Sequence, residues 1–189
     1  MHAACALWVW LAAPFWQAAP FWESRAPRDW TETEVQSLLH DSPWAQMAGP
    51  RPEVQVYLAT AQPLRECEAE LARRRGKPVN DEYLDYVRQE GAANLVLAIA
   101  YPNWTALADA EESHRMETES IMKVGRQKYK IAGHFPPTPS DPFLRLVYPR
   151  AVTERDKTVT FELYLPGNGP YHEAEFRVRE MRYRGKLEM

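Results

Sequence analysis

The sequence predicts an α+β fold, with helices mainly in the first two thirds and an antiparallel sheet formed largely by the C-terminal third. Three observations carry this expectation. Apolar residues recur at helical spacing in Val35/Leu38/Leu39, Leu64/Leu71 and Tyr83/Leu84/Val87, each set bounded by capping or breaking residues. Beyond residue 120 the period changes to alternation, clearest in Val159, Phe161, Leu163 and Leu165. Gly- and Pro-rich turns separate those runs, as in Pro166-Gly167-Asn168-Gly169-Pro170.

The first 22 residues, MHAACALWVWLAAPFWQAAPFW, hold no Asp, Glu, Lys or Arg. Ala3 to Trp16 has the length of a secretory signal core, and Ala18 and Ala19 offer small residues for cleavage beside Pro20. Two other readings stand beside export. One is a retained anchor from Ala3 to Trp22, which reaches across a bilayer but carries Pro14 and Pro20. The other is an apolar helix docked on the protein's own core. The expectation is an extracytoplasmic protein, periplasmic or secreted, touching a membrane only through residues 1–22 if these are kept. Residues 23–29, ESRAPRD, read as a polar linker to a single domain over 30–189.

DWTETEVQSLLHDSPWA, residues 29–45, reads as the start of that domain. Thr31 and Glu34 have the spacing of a capping box, and Trp30 and Val35 that of a hydrophobic staple. Ser42-Pro43 ends the helix and suggests a second short turn capped by Ser42. After the break at Gly49-Pro50-Arg51-Pro52, Val54, Val56 and Leu58 alternate as a strand. Pro63 opens a helix that stops at Gly76, and Asn80 caps another that ends near Gly91. NLVLAIAY, 94–101, is a continuous apolar run and predicts a strand covered on both faces. Asn103 lies in a glycosylation sequon and is expected to cap a weak helix from about 105 to 116.

The remainder reads as strands. Ile121–Val124 and 128–132 are expected to pair through Gly125-Arg126, and Leu144, Leu146 and Tyr148 alternate after a Pro-rich connector. Ala174, Phe176 and Val178 share one face, while Met181 and Tyr183 fall out of phase, which predicts a bulge near Arg179 or Glu180.

The motif W-T-x-x-E-V-x-x-L-L-x-x-S-P-W-A, Trp30 to Ala45, resembles the signature of a group of bacterial proteins of similar length without an established function. They usually begin with a signal peptide and are common among acidobacteria-like soil bacteria. The tail, EFRVREMRYRGKLEM, resembles their usual ending. The resemblance runs from about residue 29 to 189 and implies an exported protein. It carries over no activity and no functional residues.

Composition narrows the function classes. Net charge is −3, and the basic runs Arg73-Arg74-Arg75 and 177–186 are interleaved with glutamates, which argues against nucleic acid as a partner. With Cys5 in the leader, Cys67 stands alone in a mature chain, so no internal disulfide is expected there. An apolar helical setting makes Cys67 a small hydrophobe rather than a nucleophile. Histidines 2, 40, 114, 134 and 172 show no paired spacing, and Glu111-x-x-His114 lacks a second copy. Neither a Gly-x-Ser-x-Gly turn nor a phosphate cradle occurs. The reading therefore assigns no catalytic, cofactor-binding or metal-ligating residue, and no cofactor.

Aromatic richness supports binding or core packing, and three residues are the binding candidates: Trp104, and Tyr171 with His172 beside the turn at 166–170. The leading expectation is a non-enzymatic exported domain that binds a protein, an envelope component or an apolar small molecule. A hydrolase with unrecognised catalytic residues and a structural component of an envelope assembly are the alternatives.

Overall fold

A computed structural model describes residues 19–49, 53–76, 80–101, 103–167 and 171–189, without the side chain of Trp104. The leader up to residue 18 thus lies outside the described residues. The chain enters through a helical turn, α1 (Phe21–Ser24), and a 3-10 turn at Pro27–Asp29. Phe21 and Trp22, which the sequence reading places in the leader, pack edge-on against Trp30 and Trp44 at 5.6 and 5.8 Å. The stretch read as a linker is tied down too. Arg25 pairs with Glu34, its carbonyl accepts the Trp30 indole N–H at 3.3 Å, and Glu23 accepts the Arg184 amide at 2.8 Å.

Helix α2 (Glu32–His40) starts where the local chemistry requires. Thr31 Oγ1 accepts the Glu34 amide and the Glu34 carboxylate accepts the Thr31 amide, so the capping box is complete. Val35, Leu38 and Leu39 are buried, as are Trp30 and Trp44. No second helical turn follows. Ser42 donates to the Leu38 carbonyl at 2.7 Å and accepts the Trp44 amide at 3.3 Å, and the chain turns directly into strand β1 (Ala45–Ala48). Four residues are too few to display a strand period, and pairing with the next strand decides their conformation.

That partner is β2 (Val54–Leu58), followed by α3 (Gln62–Arg75), α4 (Asp81–Glu90) and β3 (Asn94–Ala100). Helix α3 ends at Gly76, and the Asn80 side chain caps α4, both where the sequence places them. A 3-10 helix at Trp104–Ala108 precedes α5 (Ala110–Glu119). Asp109, not Asn103, caps α5 by accepting the amides of Glu111 and Glu112 at 2.9 and 3.2 Å. Asn103 instead reaches the Gly167 carbonyl.

Strands β4 (Ile121–Val124), β5 (Gln127–Lys130), β6 (Gly133–Phe135), β7 (Phe143–Pro149), β8 (Thr158–Leu163) and β9 (His172–Arg177) follow. The predicted bulge is a 3-10 turn, Val178–Glu180. It closes through the Met181 amide on the Val178 carbonyl at 3.2 Å and brings Met181 and Tyr183 back inward. A hairpin of β10 (Arg182–Tyr183) and β11 (Lys186–Leu187) ends the chain.

The strands form antiparallel sheets and the fold is α+β. A five-stranded sheet runs β1-β2-β3-β7-β6, and a four-stranded one runs β5-β4-β8-β9. The first draws β1, β2 and β3 from the first 100 residues, so the C-terminal strands complete it rather than stand apart.

Parity along β7 separates the layers. Leu144, Leu146 and Tyr148 face the second sheet, where the Tyr148 and Phe161 rings meet at 5.3 Å. Phe143, Arg145 and Val147 face the helices instead. Leu95, Leu97 and Ile99 of β3 are fully buried, and truncating one of them to Ala costs about 2–5 kcal/mol. No helix among the described residues is long and apolar enough to cross a membrane.

Candidate functional site

A buried guanidinium organises the helix side of the five-stranded sheet. Arg145 sits mid-strand on β7 with only 1% of its surface exposed. In register, Ala98 of β3 stands between Arg145 and Tyr57, because it pairs with both. The methyl side chain leaves the space that the two large side chains share.

Helix α3 supplies the counter-charge. Its inward stripe of Leu64, Cys67 and Leu71 contains Glu68, which is 8% exposed. Arg145 Nη1 donates to Glu68 Oε1 at 2.8 Å, and the Tyr57 hydroxyl donates to the same oxygen at 2.6 Å. Asp141 takes the rest of the fork, receiving Arg145 Nε and Nη2 at 3.1 Å each. The Tyr83 ring of α4 lies 4.0 Å from the guanidinium carbon. Burial, and then the Glu68 charge, hold the Tyr57 hydroxyl well above its usual pKa range, so it remains a donor. Burial opposes the Arg145 charge, but the surrounding groups, led by Glu68, outweigh it and raise its pKa.

Asp141 comes from a stiff loop. Thr138-Pro139-Ser140-Asp141 closes on itself, with the Thr138 amide on the Asp141 carbonyl at 2.8 Å and the Asp141 amide on Thr138 Oγ1 at 3.0 Å. The Arg145 fork therefore pins a Pro-rich loop beside α3 and leaves a cleft of about 580 Å³ between that loop, α2 and α3. Its floor holds the buried Leu39, Tyr57, Glu68, Asp141 and Arg145, with Leu71 and Phe143 as half-buried apolar walls. Exposed His40, Arg75, Pro139, Ser140 and Pro142 form the rim. The volume lies within the range of small-molecule sites.

A second cleft of about 490 Å³ lies between α3 and α4 and shares Glu68 and Ala72. Arg65 and Arg88 line it. A third, of about 450 Å³, lies beside His134 and Phe135. His134 Nδ1 lies 3.2 Å from the Glu117 carboxylate, and among the described residues no group of three potential ligands could hold a metal ion. Glu111 and His114 are both exposed on α5.

Of the binding candidates from the sequence, Tyr171 and His172 line none of these three clefts. His172 is fully buried, so it is no surface contact point. Its ring packs under Gly49, where a Cβ would come within 2.2 Å of it and where φ is +85°. Tyr171 is exposed, with its hydroxyl on Glu119 and its ring 5.9 Å from Tyr164. Trp104 opens the 3-10 helix, and its side chain lies outside the described residues. Cys67 behaves as expected of a small hydrophobe: burial pushes its thiol up to about 12.

Sequence reasoning missed Glu68, Asp141, Arg145 and Tyr57. A signal existed for two of them. Glu68 occupies a position in an apolar helical stripe, and Arg145 lies between Phe143 and Val147 in a strand whose opposite parity is also apolar. Charges at such positions are buried and must be partnered. No family model, no curated protein and no solved structure matches this chain.

Proposed function

We propose that the chain is an exported, non-enzymatic binding protein whose cleft between α2, α3 and the Pro139–Phe143 loop takes up a small organic molecule. The observation that carries this is the cleft itself, about 580 Å³ with a buried polar floor and apolar walls held open by the Asp141–Arg145 fork. The floor groups bind one another, since Arg145 is shared between two carboxylates and Tyr57 donates to Glu68. That arrangement supports a rigid, pre-organised pocket more than a reacting centre. Export rests on the uncharged first 22 residues.

Two measurements test the reading. In amide NMR spectra of the labelled protein, organic fragments shift residues on α2, on α3 and at 139–143, and Leu71→Trp, which fills the cleft wall, abolishes the shifts. Shifts that survive Leu71→Trp overturn the cleft as the site. N-terminal sequencing after cell fractionation finds the mature chain outside the cytoplasm, beginning at or before Pro20, because Phe21 and Trp22 pack on the core. Uncut protein in the cytoplasm overturns export.

A further inference from the structure

Charge and unused bonding capacity at the cleft floor point to one class of ligand. Two carboxylates, Glu68 and Asp141, face one guanidinium there. Asp141 spends both oxygens on Arg145, one to Nε and one to Nη2. Glu68 spends only Oε1, which accepts from Tyr57 and from Arg145. Its other oxygen, Oε2, accepts no hydrogen bond among the described residues, although the residue is nine-tenths buried and lines the cleft. That oxygen keeps free acceptor capacity, and two carboxylates against one guanidinium leave a net negative charge at the floor.

We infer that the cleft binds a small organic monocation, a primary amine with an apolar body, whose ammonium group donates to Glu68 Oε2. This rests on the binding function proposed for the same cleft. The ammonium supplies a donor and a positive charge beside two carboxylates that share one guanidinium, on a half-enclosed floor where the pair is less screened than on an open surface. Leu39, Leu71 and Phe143 provide apolar surface for the body of the molecule. Arg75 on the rim adds a positive charge at the mouth of the cleft, so the site suits one cationic centre rather than a polyamine. Glu68 also borders the cleft between α3 and α4, but that one is lined by Glu66 with Arg65 and Arg88 and has no second buried carboxylate among its described lining, whereas Asp141 stands beside Glu68 on the floor of the first. The first cleft is therefore the one assigned.

The test compares three probes that share one ring: benzylammonium, benzyl alcohol and benzoate, each titrated into the labelled full chain at pH 7 and followed by amide shifts. Benzylammonium binds at least tenfold more tightly than either of the others, with its shifts at 68–72 and 139–145. Glu68→Gln reduces its affinity at least tenfold, whereas Glu66→Gln, which removes a carboxylate of the same helix outside this cleft, does not. Because Glu68→Gln removes one of the two carboxylates on Arg145, its fold is checked by circular dichroism. If it does not fold, the three-probe comparison on the unaltered chain decides alone.

Benzyl alcohol or benzoate binding as tightly as benzylammonium, with Leu71→Trp still blocking all three, overturns the cation and leaves the cleft reading intact. Benzylammonium shifts confined to 84–88 overturn the assignment to this cleft. Tighter binding of 1,5-diaminopentane than of pentylammonium overturns the single cationic centre. Failure of every probe to shift the cleft removes the binding function itself.

Discussion

The indole N–H of Trp44 donates to the backbone carbonyl of Glu188 at 2.7 Å, across 144 positions of sequence. The opening motif and the tail motif therefore meet in space. Glu188 extends the junction by accepting the Gln62 amide on its side chain at 3.0 Å, at the start of α3. Arg150 adds a bond to the Met189 carbonyl at 2.6 Å, and Met189 is itself buried. Residues 188 and 189 thus tie the turn after α2 to the start of α3 and to Arg150.

Trp44→Phe removes that bond and leaves space in a fully buried site. It is expected to cost about 2–4 kcal/mol, the sum of an unpaired carbonyl and a partly filled cavity. Urea denaturation measures it. A loss below half a kcal/mol would mean that the ends are not energetically joined.

Arg145→Met strands two buried carboxylates that now share one guanidinium. Breaking such a cluster from one side costs about 3–5 kcal/mol. The Pro139–Phe143 loop also loses its fork, so limited proteolysis should cut the variant between 138 and 142 where the parent resists. Intact resistance would show that the loop holds without Arg145.

Two tyrosines on the same sheet should respond in opposite directions. Tyr57 donates to Glu68 inside the cluster, so Tyr57→Phe is expected to destabilise by about 1–2 kcal/mol. The Tyr148 hydroxyl is buried between the sheets without a partner among the described residues. Tyr148→Phe removes an unpaid desolvation cost and is expected to be neutral or to stabilise by about 1 kcal/mol. Thermal melts of both variants decide the contrast.

Cys67 should resist alkylation in the native state. Its thiol is fully buried, donates weakly to the Val35 carbonyl and titrates at about 12, so almost no thiolate exists at pH 8. Iodoacetamide should leave the folded chain unmodified and label it once unfolded in urea. Rapid native labelling would contradict the burial.

Glu70 links stability to acid. Arg73 and then Arg74 hydrogen-bond its carboxylate, which overcomes burial and lowers its pKa from 4.5 to about 2. A depressed folded-state pKa contributes stability that is complete above 4.5 and is lost as pH falls toward 2. Glu70→Gln should therefore reduce stability at pH 7 and flatten its decline between those values. An unchanged slope would place the acid sensitivity elsewhere.

Local chemistry was readable in the residues wherever it acts over a few positions. The Thr31–Glu34 capping box, the Asn80 cap, the stop at Gly76 and the doubly covered strand at 94–100 need only neighbours along the chain, and each is present. The α+β class followed from the same periods. Strand β1 escaped because four residues carry no period, and the out-of-phase pair at 181 and 183 showed that the register breaks without showing how.

The cleft belongs to another kind of information. Glu68 and Arg145 are 77 residues apart, and Ala98, the small residue that lets them meet Tyr57, lies on a strand between them. Sequence shows a charge within an apolar stripe but not its partner, because the pairing depends on strand order and on which helix crosses which strand. Burial then converts that pairing into energetics: the same ions on a solvated surface would be screened and contribute little, whereas in the interior they must satisfy one another and shape the space around them.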